Sequence, residues 1–147
     1  MLYQFNEGSL ELPNQAINKT LHMLVLNQAE GLSFSMIVSG MLAGEDVERF
    51  IDRQAKTLSR QLKKFKETRR EHIVIAPKDR HDKPIDAVLL ETQFQQGDQL
   101  FFQKQCIALM GSERALVATV NANSPFTDSQ LDIWRTAYES IRFRPQA

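Results

Sequence analysis

At Glu45 the spacing of apolar residues changes, and that change restricts the fold more than any other feature of the chain. Upstream, 19–27 (KTLHMLVLN) and 32–41 (LSFSMIVSGM) are short extended runs separated by QAEG at 28–31, a hairpin signal with a glycine for the turn. Downstream, Val47, Phe50, Ile51, Leu58, Leu62 and Phe65 fall on one stripe, with Glu48, Arg49, Asp52, Arg53, Lys56, Arg60 and Lys63 around the rest. That is the period of about 3.6 expected of an amphipathic helix. Glu45, Asp46 and Glu48 complement the dipole at its start.

Extended runs then return. Residues 71–76 (EHIVIA) precede the polar loop PKDRHDKP, and 85–95 (IDAVLLETQFQ) turns through Gln96, Gly97 and Asp98 into DQLFFQKQCIALM, which turns at Met110 to Glu113 into RALVATVNA. These are four successive strands. A second helix follows: Thr127 and Gln130 make a capping box, Phe126 can staple onto Leu131, and Leu131, Trp134, Tyr138 and Ile141 repeat at helical spacing to about Arg142. Before all of this, 2–12 reads as an edge strand closed by Pro13. One apolar stripe per helix predicts an α+β class with an antiparallel sheet of about six to seven strands and both helices on one face. The other face is then uncovered within one chain.

A chain of 147 residues suits a single domain over 1–147. With 42% apolar and 24% charged residues it can form a core, and 18 basic residues against 18 acidic ones give no field to steer it toward nucleic acid. The cluster from Lys63 to Arg70 reads as a solvated helix end. No apolar run approaches the ~18 residues of a membrane span and the N-terminus lacks a basic leader, so the expectation is a cytoplasmic protein without stable membrane insertion. Cys106 is alone and agrees with a reducing compartment. His22, His72 and His81 have no metal-ligand spacing, the glycines are isolated turn residues, and Cys106 has no nucleophile signature. The expectation is no metal, no cofactor and no enzyme.

The positive signal lies in the strand faces. In 98–110, Phe102, Cys106 and Ala108 share one face while Gln103 and Gln105 sit on the other. In 32–41, Leu32, Phe34, Met36 and Val38 alternate with Ser33, Ser35, Ile37 and Ser39, and in 19–27 Leu21, Met23 and Val25 alternate with His22, Leu24 and Leu26. A solvent face would carry Lys, Glu and Thr. Aliphatics with serines and glutamines instead describe a groove for an apolar segment or a subunit interface.

Taken together, EGSLELP, KTLHMLVL with GLSFSMIVSG, DRQAKTLSRQLKKF, LFFQKQCIAL after its QxGD-type turn, and FTDSQLDIWRTAYESIRFR resemble, in order and spacing, the Eag-type chaperones of bacterial type VI secretion, small proteins of the PsbP-like superfamily. The resemblance implies a PsbP-like fold and a non-enzymatic homodimer. Its role would be to bind and shield the N-terminal transmembrane helices of a PAAR-containing, membrane-penetrating effector before export. Carried onto this chain, the client-binding positions are Leu21, Met23, Ser35 and Ser39 on strands, Gln54, Leu58 and Leu62 along one side of the first helix, and the pair Gln103 and Gln105. Gly40 and Met41 stand where relatives have an arginine-containing stretch, and Phe102 where tyrosine is usual. The alternative is a PsbP-like docking module with no transmembrane client.

Overall fold

The computed structural model describes residues 2–5, 7–14, 20–77, 79, 83–111 and 113–144. Leu2–Phe5 (β1) and Gly8–Glu11 (β2) pair only with each other, so the expected N-terminal edge strand is a two-stranded hairpin separate from the main sheet. The main sheet takes Leu21–Asn27 (β3), Leu32–Gly40 (β4), Lys63–Ile75 (β5), Ile85–Gln96 (β6), Gln99–Leu109 (β7) and Arg114–Ala122 (β8), in the antiparallel order β3-β4-β8-β7-β6-β5. With helices Val47–Gln61 (α1) and Asp128–Glu139 (α2) this is the expected α+β class. Lys19 of the anticipated strand and His81 of the loop lie outside the described residues.

Both helices start as their sequences dictate. Asp46 caps α1, its side chain accepting from Arg49 N at 2.8 Å, and Glu45 pairs with Arg53 through both carboxylate oxygens at 2.9 Å. Thr127 and Gln130 form the reciprocal capping box of α2. The end of α1 differs from expectation. The helix stops at Gln61, Leu62 is its extended C-cap, and Lys64 takes a positive φ of 54° as the chain reverses into β5. The run from Lys63 to Arg70 is therefore edge strand, not helix end. Phe65 kept the helical spacing, but β6 offers backbone partners from Ile85 to Gln95, and that ladder outweighs the continuation of a helix. Register shifts between Lys63 and Lys66 and between Glu67 and Arg69 fit the charged segment onto it.

The helices lie on opposite faces of the sheet, not on one. Trp134 of α2 packs with Leu32, Cys106, Ala108, Ala118 and Val120, while Phe50 and Ile51 of α1 pack with Val88, Leu90, Ile107 and Ala115. Cross-strand partners share a face, and Leu89, Cys106, Ala118 and Met36 form one ladder while Val88, Ile107, Val117 and Ile37 form the next. At this end of the sheet Ala87, Val88, Leu89 and Leu90 are consecutive apolar residues, as are Cys106, Ile107, Ala108 and Leu109. Strands apolar on both faces need cover on both. Phe50 and Ile51, each 1% exposed, are the main plug on the α1 side.

Candidate functional site

Beyond the footprint of Phe50 and Ile51, the α1 side of the sheet is open, and its chemistry follows from register. One ladder runs Leu90, Gln105, Thr119, Ser35, Met23 across five strands; the next runs Thr92, Gln103, Asn121, Ser33, Val25. Across these five strands neither contains a charged side chain; on β5 the ladders end at Arg70 and Glu67, which pair with each other. The Thr92 hydroxyl donates to Gln103 Oε1 at 3.1 Å, and Gln105 Nε2 donates to the Thr119 hydroxyl at 3.2 Å. Thr92 and Thr119 are buried beneath the two glutamines, which are half-buried. Asn121 Oδ1 is buried among them with no hydrogen-bond partner among the described residues. Such an acceptor costs about 1–3 kcal/mol if nothing pairs with it, which marks the floor as polar but uncharged. At one end, Phe94 and Phe101 stack with ring centroids 5.5 Å apart.

The β3 side of this floor is apolar. On β3, Leu21, Met23 and Val25 point to the same face as Gln103 and Gln105, and Met23 and Val25 are each 71% exposed. Of the helix positions on α1, Gln54 is exposed and Leu58 half-buried. Leu58 and Leu62 belong to neither hydrophobic core cluster. Leu62, as an extended cap, no longer continues the helical line through Gln54 and Leu58. Ser35 lies within the floor, whereas Ser39 pairs with Ala115, which Phe50 and Ile51 cover. All six strand positions Leu21, Met23, Ser35, Ser39, Gln103 and Gln105 thus share one face, with Ser39 at its covered end. Sequence reasoning missed Thr92, Thr119 and Asn121; their signal was the cross-strand partnership with the glutamines, which needs register to be seen.

α1 is held over this face by charge. Arg70 of β5 pairs with Glu48, with Asp52 at 3.0 Å and with Glu67 at 2.7 Å, and His72 also meets Glu48. The Arg70 hydrogen bond, then that from His72, holds the Glu48 carboxyl below its ordinary value. The α2 side is different in kind. A hollow of about 490 Å³ there is bordered by Arg69, Glu71, Glu91 and Lys104, whose charges pair as Arg69–Glu71 and Lys104–Glu91. Cys106 is fully enclosed on that side, and burial pushes its thiol up to about 12, so it packs as a small apolar group. Among the described residues no cluster of His, Cys, Asp and Glu is placed to hold a metal, and no helix is long and apolar enough to cross a membrane.

A family model described as DcrB matches residues 7–140. Among solved structures, the chain is similar to a protein from Pseudomonas aeruginosa described as of unknown function and, in prospect, a regulator. The two share 22% identity and a TM-score of 0.63, over 99% of this chain and 98% of the other. That likeness establishes the fold. No curated protein matches the chain.

Proposed function

From the premise that this chain belongs to the DcrB family, we propose that it is an effector chaperone of the Eag type. In this reading it acts as a homodimer, and its α1-side groove sheathes the N-terminal transmembrane helices of a PAAR-containing type VI secretion effector until export. The observation that carries the reading is the uncharged floor of Gln103, Gln105, Thr119 and Ser35 bordered by exposed Leu21, Met23 and Val25.

A transmembrane helix satisfies its own backbone hydrogen bonds, so a protein that shelters it in water need offer only side chains. Aliphatic walls supply the larger share of the binding energy, about 25 cal/mol for each Å² of apolar surface removed from water. The glutamine and serine groups supply hydrogen bonds to the occasional Ser, Thr or Asn of the client without the desolvation cost of a buried charge. Because aliphatic contact is tolerant of sequence, such a groove accepts varied apolar helices, and the amide groups favour those whose polar spots fall in register. The test is co-expression with an effector N-terminus containing its apolar helices. The segment should move from the insoluble to the soluble fraction and co-purify with this chain. If it stays as insoluble as it is alone, the chaperone reading fails, and a partner lacking any apolar helix would favour a docking module instead.

A further inference from the structure

The two edges of the six-stranded sheet are built differently. Along β5, Lys64, Lys66, Glu67, Arg69 and Glu71 are all exposed, and charges of this kind keep a foreign strand from adding to an edge. Along β3, LHMLVLN, there is no Lys, Arg, Asp, Glu or Pro, and every residue is exposed on both faces. The single irregularity lies between Val25 and Asn27, which leaves Leu21 to Val25 regularly paired to β4 and their outer backbone groups facing outward. Among the described residues no strand pairs with this side of β3, and an edge of this composition is a template for another strand.

We propose that the strand it takes is β3 of a second copy of this chain, antiparallel and edge to edge, with Met23 on the two-fold axis. The sequence is self-complementary in that register. Met23 meets Met23, Leu21 meets Val25 and His22 meets Leu24, so apolar side chains face one another on the groove side and no like-charged carboxylates or ammonium groups are brought together. An isologous contact requires this kind of self-matching surface. Antiparallel pairing also preserves parity, so Leu21, Met23 and Val25 of both protomers lie on the same face. The two uncharged floors then join into one continuous trough across a twelve-stranded sheet, its outer edges being the charged β5 strands. The proposal specifies the interface of the dimer assumed in the chaperone reading, but its test uses the chain without any client.

Light scattering at tens of micromolar should find the wild-type chain dimeric, and Met23→Lys and Met23→Asp should each be monomeric. Met23 is 71% exposed, so neither change disturbs the core, and circular dichroism checks that each variant is folded. Like charges opposed on the axis should weaken association by about tenfold or more, and a one-to-one mixture of the two variants should recover the dimer. Independently, Met23→Cys should form an intermolecular disulfide on mild oxidation, since directly opposed residues stand about 4.5–5.5 Å apart between Cα atoms. The native Cys106 is 0% exposed and does not compete. A monomeric wild-type chain, a dimer indifferent to both charged variants, or a mixture that stays monomeric would each overturn the proposal. Failure of client capture by a confirmed β3 dimer would instead count against the chaperone reading alone.

Discussion

Replacing Gln103 and Gln105 together by lysine separates the groove from the core. In the free protein the change removes the hydrogen bonds from Thr92 to Gln103 and from Gln105 to Thr119. Each is worth about 1 kcal/mol net. Both side chains are half-buried with open groove above them, so the lysine stems can extend toward water. A loss of roughly 2 kcal/mol from a domain stability of about 5–15 kcal/mol leaves the chain folded. With an apolar helix seated, the same ammonium groups are sealed against it. Each then costs about 2.5–3.5 kcal/mol on insertion scales. Two such groups sum to about 5 kcal/mol or more, which at 1.4 kcal/mol per decade is a weakening of at least about a thousandfold. The measurement is titration of a detergent-free client peptide monitored by fluorescence, beside a thermal melt of the free variant. Wild-type affinity in the double lysine variant would show that the glutamines do not face the client. An unfolded variant would show that they are core.

Phe50→Ala empties the largest buried side chain beneath α1 and should cost about 3–5 kcal/mol, lowering the melting temperature by roughly 10 °C; an unchanged melt would mean that α1 is not anchored by Phe50. The Glu48 carboxyl is depressed when folded, chiefly by Arg70, so its contribution is present above its ordinary value of 4.5 and is lost as pH falls through the folded value. Glu48→Gln should therefore melt below wild type at pH 7, with the gap closing as the pH is lowered below 4.5; a gap independent of pH would refute the ionic account of how α1 is held.

Alternation made the face division of β7 legible in the sequence: Phe102, Cys106 and Ala108 do share the α2 side, and Gln103 and Gln105 the other. The start of α2 was legible because a capping box is local chemistry between Thr127 and Gln130. What escaped was decided by long-range pairing. The Lys63 to Arg70 stretch carries helical spacing and helix-end charges, yet β6 recruits it as a strand, since an edge strand tolerates charge that an interior one would not. The placement of the helices on opposite faces escaped for a related reason. Val88, Leu90 and Ile107 look like one half of an ordinary buried strand until register puts them, with Ala115, under Phe50 and Ile51. Thr92 and Asn121 carry no local signal at all; only their partners across the sheet identify them.

The parity of β7 sets two different environments within one eleven-residue strand. Codons for Cys106 and Ala108 are constrained by the α2 core, where neither has room to grow. Those for Phe101, Gln103 and Gln105 answer to the open groove and can drift without loosening that core. Point substitutions at these alternate residues thus alter the open face without disturbing the α2 core, whereas a single-codon deletion in β7 would move every side chain beyond it to the opposite face and disturb both faces at once.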